Sequence, residues 1–316
     1  MGIKHTYQSG TANSGTAEVS STRWNDDHTV DGFFPVGQTA AATAITAPSA
    51  GNTTLFARSF GGRGMFGAAD PSGDTHLFQP LIYDGSQGWW VAVNNTAAPT
   101  AIGHAAPSAT GTQTAAALAS TNRFTRMKRT TYLVTVAATT AVAGARGTGV
   151  VTVGGNAAGD GGFFFAMRWG PSTGVATTTN RAFAGLQQSA APTDVQPSSL
   201  FSLIGMGWDA ADTNIQFING STTTTVKTDL GASFPVPTAD NTNAYDIIMF
   251  SPPGTTQSVS YQIVNLITGA VATGTVTTNL PSTTLLIGPS VWMSVGGTSS
   301  VIGVAMMGMY LAIGGV

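Results

Sequence analysis

The sequence contains 316 residues, of which only 8% are charged, with a net charge of −2 and an isoelectric point near 6.0. The acidic residues are 13 Asp and one Glu, and there are nine Arg but only three Lys, so the straight-chain residues that favour helices are scarce. Thr, Gly, Ala, Ser and Val are abundant instead, which is typical of many short strands joined by tight turns. This composition excludes a helix-rich fold and provides no global field that would attract nucleic acid.

The chain divides into three parts by composition. Residues 1–35 are polar and contain two of the four histidines, and we interpret them as an attachment segment. Residues 36–54 are rich in Ala, Thr, Pro and Gly without periodicity, which indicates an extended linker. Residues 55–316 carry the apolar patterns, and we expect them to form one large β domain.

Within the third part, apolar runs bounded by Gly, Pro, Asn or Asp recur at short intervals. We predict strands at residues 76–83, 88–93, 131–137, 149–153, 162–169, 181–186, 200–208, 214–219, 245–250, 259–267, 271–277, 290–295 and 301–313. Polar and apolar residues alternate in 258–264, which indicates one buried face and one solvent face. Roughly a dozen strands in this length favour two packed antiparallel sheets, and so an all-β sandwich.

The sequence contains no Cys, which excludes disulfides and thiolate metal sites. Its first residues lack the apolar core of a secretory signal, and no window reaches the ~18–20 uninterrupted apolar residues of a membrane span. Residues 301–316 come nearest, but the glycines among them favour a buried terminal strand. We therefore expect no membrane insertion.

The sequence contains few residue patterns that are suited to catalysis. Glycoside cleavage usually needs two carboxyl groups that flank the bond, and the one Glu of the chain, Glu18, lies in the attachment segment. The four histidines show neither the spacing of a zinc site nor a Gly-x-Ser-x-Gly companion. We expect no catalytic residues and no cofactor.

One acidic run has two interpretations. Asp209 and Asp212 lie in the sequence Trp-Asp-Ala-Ala-Asp-Thr-Asn, which ends at Asn214. Asp in such a run commonly caps a turn through its side-chain oxygen. The alternative is an oxygen-rich Ca²⁺ site formed by Asp209, Asp212 and Asn214.

Residues 122–129 concentrate four of the twelve basic residues. If this segment is a strand, Arg126 and Lys128 lie on one face, where an acidic sugar or a phosphate group could dock. Alternatively, these groups pair with Asp or with a neighbouring subunit.

Tryptophans provide flat apolar surfaces on which sugar rings stack, and we expect most of them to be core residues. Trp89 and Trp90 are adjacent in a predicted strand, so they must face opposite sides. At least one of them is then a candidate for an exposed or interfacial position, and both are candidate glycan-binding residues.

The opening residues 2–7, Gly-Ile-Lys-His-Thr-Tyr, are followed at 23–32 by Arg-Trp-Asn-Asp-Asp-His-Thr-Val-Asp-Gly, which contains the pattern W-N-x-x-H-T-[IV]-x-G. Further distinctive stretches are residues 70–73, 77–80, 125–129, 181–186, 204–208, 211–214, 229–235, 245–246 and 252–254. Together these stretches resemble structural proteins of tailed bacteriophages, in particular tail fibres and receptor-binding proteins with a jelly-roll, or concanavalin-like, β-sandwich.

The resemblance implies a short extended N-terminal segment that joins the virion, which assigns Trp24, Asn25 and His28 to virion attachment. It also implies a homotrimer that is made in the host cytoplasm and displayed on the virion, with its β domain exposed on the tail. The implied partners are other virion proteins and a host-surface glycan or receptor. No catalytic residue carries over from the family.

A tail fibre or tail-tip receptor-binding protein is therefore our first hypothesis. A head fibre, decoration or neck protein is the alternative, because an N-terminal anchor does not identify the part of the virion that it joins. A polysaccharide-degrading tailspike is disfavoured by the few carboxylates and by the absence of a β-helix repeat.

Overall fold

Strands account for almost all regular structure in the protein. A computed structural model describes residues 38–39, 47–60, 63–73, 75–78, 87–93 and 97–314. Within these ranges the one helical element is a single 3-10 turn at Pro197–Ser199. The many β-branched residues and glycines thus form strands and turns, as the composition predicts.

The described residues form 20 strands. They are β1 (Gln38–Thr39), β2 (Thr54–Phe60), β3 (Arg63–Ala69), β4 (Thr75–Leu77), β5 (Gln87–Val91), β6 (Thr100–Ile102), β7 (Ser108–Thr110), β8 (Thr112–Ala115), β9 (Thr130–Ala138), β10 (Val142–Arg146), β11 (Phe163–Thr173), β12 (Arg181–Gln188), β13 (Leu203–Trp208), β14 (Gln216–Gly220), β15 (Thr225–Asp229), β16 (Tyr245–Ser251), β17 (Val259–Asn265), β18 (Val271–Val276), β19 (Ile287–Ser294) and β20 (Ser300–Ile313).

The strands form two large sheets and one small sheet. One large sheet has seven strands, in the order β15-β14-β13-β12-β19-β10-β7. The other has nine, in which the path β18-β17-β16-β11-β20-β5-β6 is extended by β9 and β8 beside the first half of β20. The small sheet contains β1 to β4, and its β1–β2 pair is the one parallel pairing among the described strands. The large sheets are antiparallel throughout their described pairs.

The core lies between the two large sheets. Trp169 of β11 stacks on Trp208 of β13 with ring centroids 6.0 Å apart, and its indole N–H lies 3.4 Å from Sδ of Met206. Phe217 of β14 stacks on Tyr261 of β17 at 3.8 Å. Because each large apolar side chain contributes about 1.5–3 kcal/mol when it is fully buried, these contacts hold the two layers together. The prediction of an all-β antiparallel sandwich is confirmed.

The outer faces of the two sheets differ. Every residue of β13, β14 and β19 is buried, since the chain between β12 and β13 places Leu200 over an outer cluster that includes Phe183 and Trp292. In contrast, buried and more exposed residues alternate along β16 and β17. The outer face of the nine-stranded sheet is therefore the more open one.

Strand β20 is central to the nine-stranded sheet. It pairs with β11 on one side, and on the other with β9 along its first half and with β5 along its second half. The strand predicted at residues 301–313 is thus present, and most of it is buried. No helix within the described ranges is long and apolar enough to cross a membrane.

One predicted strand is wrong. Residues 149–153 contain only an isolated bridge between Val151 and Ile287. The chain turns away at Gly154, which has a φ of +64° that L side chains rarely adopt. This turn ends the pairing before a ladder can form.

The described residues belong to one compact unit, Gln38–Val316. The boundaries at residues 35 and 54 stay a prediction, although β1, in the predicted linker, pairs with β2. The attachment residues Trp24, Asn25 and His28 lie outside the described residues.

Candidate functional site

A groove crosses the outer face of the nine-stranded sheet where β5, β20, β11 and β16 lie side by side. Its volume is about 400 Å³. The register aligns Tyr310 with Ala166 and Gly308 with Arg168 across β20 and β11. Each pair thus joins a large side chain, Tyr310 or Arg168, to a small residue, Ala166 or Gly308. The small residues leave the space that forms the groove.

A β-bulge shapes the same region. Arg168 pairs with Gly308, but the next residue, Trp169, pairs with Met306, so Met307 is the extra residue of β20. The bulge places both Met307 and Gly308 at the groove, whereas Met306 belongs to the central core. Such bulges commonly re-aim side chains beside functional sites.

An aromatic row forms one side of the groove. Trp89 of β5 is paired with Tyr310 of β20, and their ring centroids are 5.2 Å apart. Phe164 of β11 continues the row, with its ring centroid 5.9 Å from that of Tyr310. The Tyr310 hydroxyl donates a hydrogen bond to Oε1 of Gln87 at 3.2 Å, and burial raises the pKa of Tyr310. The phenol therefore stays neutral at neutral pH and keeps the hydrogen that it donates to Gln87, while its oxygen can accept a hydrogen bond.

An ion pair forms the other side. Nε and Nη2 of Arg168 donate to Oδ1 and Oδ2 of Asp246, both at 2.7 Å, across the β11–β16 pair. The side chain of Arg168 is 44% exposed and that of Asp246 is 20% exposed. The hydrogen bond to Asp246 raises the pKa of Arg168 above its ordinary value. This bidentate geometry fixes both groups, so that donors and acceptors face the groove together.

A turn rich in basic residues lies at the Arg168 end of the groove. Residues 120–129, which we call the basic turn, contain Phe124, and a Cβ built on Gly170 would lie 2.7 Å from its ring. Gly170 follows Arg168 by two residues, so the two share one face of β11. Met307 packs against the same cluster as Phe124 and also lines the groove. The basic turn therefore adjoins the groove.

The basic turn is not a strand, which corrects the expectation for Arg126 and Lys128. Its backbone makes turn hydrogen bonds, from Arg126 N–H to the Asn122 carbonyl and from Met127 N–H to the Phe124 carbonyl, and regular pairing starts only at Thr130. Both Arg126 and Lys128 are exposed. The turn arises because the Asn122 side chain accepts from Thr125 N–H at 2.9 Å, a local bond that competes with strand pairing.

Trp90 is not available to a ligand. It faces the core, is only 1% exposed, and donates its indole N–H to the Ala105 carbonyl at 2.9 Å. Trp89 faces the groove instead, so the two side chains do lie on opposite faces of β5. Trp90 is therefore removed as a glycan-binding candidate, while Trp89 is kept.

The proposed calcium ligands Asp209, Asp212 and Asn214 do not form a cation site. Nζ of Lys227 lies 2.8 Å from Oδ2 of Asp209 and 2.7 Å from Oδ1 of Asp212, so an ammonium group lies where a cation would bind. Asp212 also accepts from Asp209 N–H at 2.8 Å, which is the turn interpretation of this run. Asn214 contacts Asp229 instead. No group of three or more His, Cys, Asp or Glu side chains suited to a metal is found in the described part of the chain.

Three groove residues were missed by sequence reasoning. Arg168, Asp246 and Tyr310 lie in predicted strands, at positions that alternate with buried residues. A charge at an outward position of a strand was the available signal for Arg168 and Asp246. The pairing of β11 with β16 and β20, which brings the three together, has no local signature.

No protein-family model matches the sequence, and no curated protein matches it. Among solved structures, the fold is similar to lectin I from Ulex europaeus in complex with the methyl glycoside of α-L-fucose, at 9% identity and a TM-score of 0.45, over 72% of this chain and 98% of the lectin. It is similar to a protein of unknown function from Shewanella oneidensis, at 9% identity and a TM-score of 0.46, over 72% and 86% of the two chains. It is also similar to the CBM2 module of the evolved Dit of Lactobacillus casei phage J-1, at 12% identity and a TM-score of 0.33, over 55% and 70%.

Proposed function

We propose that this protein binds a glycan on a host-cell surface. The observation that carries the proposal is the groove on the nine-stranded sheet, where Trp89 and Tyr310 face the Arg168–Asp246 pair across small residues. Aromatic rings provide flat surfaces for the apolar faces of sugars. The ion pair provides donors and acceptors for sugar hydroxyl groups.

Binding without cleavage fits the groove. Asp246 is the one carboxylate among the described residues that line it, and both of its oxygens accept hydrogen bonds from Arg168. Glycoside hydrolysis usually needs a second carboxyl group within about 5–10 Å of the first. We therefore propose a binding protein with no enzymatic role.

The setting that we propose is the tail of a bacteriophage virion. The sequence resemblance to tail fibres and receptor-binding proteins supports this assignment, and it implies a homotrimer. Residues 1–35, with Trp24, Asn25 and His28, would join the neighbouring virion protein, leaving the β-sandwich free to reach the host.

The proposed glycan binding is tested with the purified protein on an array of bacterial surface polysaccharides. The best-bound polysaccharide is then titrated against the protein and two variants. Trp89→Ala should weaken binding about tenfold or more, because loss of a central aromatic contact commonly costs more than ~1.4 kcal/mol. Phe201→Ala is the matched control, because Phe201 is an aromatic residue that is 50% exposed and does not line the groove. Equal binding by wild type and Trp89→Ala would contradict the proposal.

A further inference from the structure

The positive charge of the described sandwich is unevenly distributed. Residues 85–159 contain no Asp or Glu, although they carry Arg123, Arg126, Lys128, Arg129 and Arg146. Four of these five cations lie in the basic turn. The turn is therefore a local positive site on a chain whose net charge is −2.

The exposed cations of the turn have no acidic partner among the residues that the structure describes. Of the ion pairs among the described residues, none involves Arg123, Arg126 or Lys128. Nη1 of Arg123 donates to the Leu266 carbonyl, and Nη2 of Arg126 donates to the Ser120 carbonyl at 3.2 Å. These bonds position the two guanidinium groups without a carboxylate from the described part of the chain, so the turn offers positive charge to an anion.

Side-chain hydrogen bonds also hold the backbone of the turn, so its conformation is set before a ligand binds. Arg129 is only 7% exposed and donates to the carbonyls of Thr125 at 3.0 Å, Met127 at 3.2 Å and Ala117 at 3.3 Å. Its guanidinium lies 5.0 Å from the ring centroid of Phe124, a cation–π contact. Asn122 donates to the Asn241 carbonyl at 3.0 Å and so ties the turn to a second loop. Such preorganisation lowers the entropy cost of binding.

The charged turn and the aromatic groove form one continuous surface. Phe124 lies over Gly170, which shares a strand face with Arg168. Met127 and Val264 both pack against the cluster that contains Phe124, and Val264 is paired with Asp246. A chain of sugars that lies across Trp89 and Tyr310 and passes Arg168 therefore reaches the basic turn. An acidic group on that chain would approach Arg126 and Lys128.

We propose that the groove selects anionic glycans, whose carboxylate or phosphate groups bind at the basic turn while a sugar ring stacks on Trp89. This inference rests on the proposed glycan binding and adds the ligand class. Charge complementarity supports it, because no carboxylate other than the paired Asp246 lies among the described groove residues. The attraction acts locally, since salt at physiological strength screens exposed charges beyond about 8 Å.

The test measures binding of the full chain to five named probes. Polygalacturonate and polysialic acid supply carboxylates, poly(glycerol phosphate) teichoic acid supplies phosphates, and dextran and mannan are neutral. Titrations are carried out at low and at high salt. The Arg126→Gln/Lys128→Gln variant changes two exposed side chains of the basic turn. Arg146→Gln is the control, because it removes a cation on β10 of the seven-stranded sheet and not of the basic turn.

We expect an anionic probe to bind and a rise from 0.05 to 0.3 M salt to weaken that binding at least fivefold. At low salt, the double variant should bind that probe about tenfold more weakly than wild type does, because each exposed charge contributes about 0.5–1 kcal/mol. Arg146→Gln should bind as wild type does. Either anion source supports the inference, and the carboxylate and phosphate arms identify which one is preferred.

Failure of the inference and failure of the proposed function would give different results. Binding to the neutral probes that is lost in Trp89→Ala, but unchanged by salt and by the double variant, would overturn the inference and leave the proposed function standing. Failure of all five probes and of the polysaccharide array, or binding that is indifferent to Trp89→Ala, would overturn the proposed function itself. The salt titration of wild type requires no variant to fold.

Discussion

Gly88, which precedes Trp89 in β5, lies directly against the imidazole of His104. This contact restricts the size of the residue at position 88. A Cβ built on Gly88 would lie 1.8 Å from Cδ2 of His104. The imidazole is partly buried and lines a small cavity together with Trp90 and Pro289. A larger residue at position 88 would therefore displace either the ring or the strand.

We expect Gly88→Ala to lower the free energy of unfolding by roughly 1–3 kcal/mol, as overpacking generally does. The measurement is urea unfolding followed by tryptophan fluorescence. In the His104→Ala background the clashing ring is absent, so adding Gly88→Ala should lower the free energy of unfolding much less than it does in the wild-type protein. A Gly88→Ala cost that is the same with and without His104 would contradict this account of β5.

The pair Trp89–Trp90 shows which part of the site could be predicted at the residue scale. Alternation along a strand fixes opposite faces for the two side chains, and the structure places them so. Which face is buried depends on the second sheet, which alternation within one strand does not reveal. The buried indole of Trp90 was therefore as good a candidate from sequence as the partly exposed indole of Trp89.

At the scale of single elements, the basic turn depends on one buried side chain. The planar guanidinium of Arg129 donates to three carbonyls that point in different directions. A lysine has the charge but lacks the forked geometry that reaches all three. The conformation of the turn should therefore be sensitive to this substitution.

We expect Arg129→Lys to speed amide hydrogen exchange in residues 117–129 about tenfold or more. Charged hydrogen bonds contribute roughly 1.5–3 kcal/mol each, and more than one is lost. The measurement is exchange followed by mass spectrometry. Arg126→Lys is the control, because Arg126 is exposed and makes one such bond. Equal exchange in both variants would show that Arg129 does not hold the turn.

Some elements could be predicted and others could not. Strands β16 and β17 alternate clearly in burial, and their predicted bounds agree with the structure to within two residues. Strand β10 reads Val-Ala-Gly-Ala-Arg, and its small residues give no alternating pattern, yet the close fit of Gly144 against Trp292 requires them. Strand β15 is mostly polar because it is an edge strand. Packing partners, rather than local pattern, define these two strands.

At the scale of the whole molecule, the sandwich has one covered outer face and one open outer face. Leu200 packs over the outer cluster on strands β12, β13, β14 and β19 of the seven-stranded sheet, whereas the nine-stranded sheet keeps its groove. The groove side chains come from four strands, and Trp89 and Tyr310 are more than 200 residues apart in the chain. The pairing of strands that are distant in the chain brings them together. Sequence reasoning therefore proposed Trp89 and the basic residues as separate candidates, but it could not predict that they lie on neighbouring parts of one surface.

Deletion of residues 1–35 tests the proposed attachment. The described unit begins at Gln38, so we expect the truncated protein to keep its melting temperature to within a few degrees. Phage particles that carry the deletion should lack the protein in a mass-spectrometric assay of purified virions. Incorporation at the wild-type level would contradict the role of Trp24, Asn25 and His28.

Two further measurements complete this test. A gold label on the full-length protein should appear at the tail, and a label on the capsid would instead favour the head-fibre alternative. Native mass spectrometry of the full chain should give three copies of 32.0 kDa. A monomer at micromolar concentration would contradict the proposed trimer.

Stacking of sugars on Trp89 in the groove can be observed by ¹⁹F NMR of protein labelled with 5-fluorotryptophan. Trp90, Trp169, Trp208 and Trp292 are each at most 1% exposed, so they act as internal references. The Trp89 resonance is assigned with a Trp89→Phe variant, and the labelled protein is titrated with the best-bound polysaccharide. We predict that the Trp89 resonance shifts with saturation while the four buried resonances stay fixed. Saturable binding that leaves the Trp89 resonance unchanged would contradict this stacking.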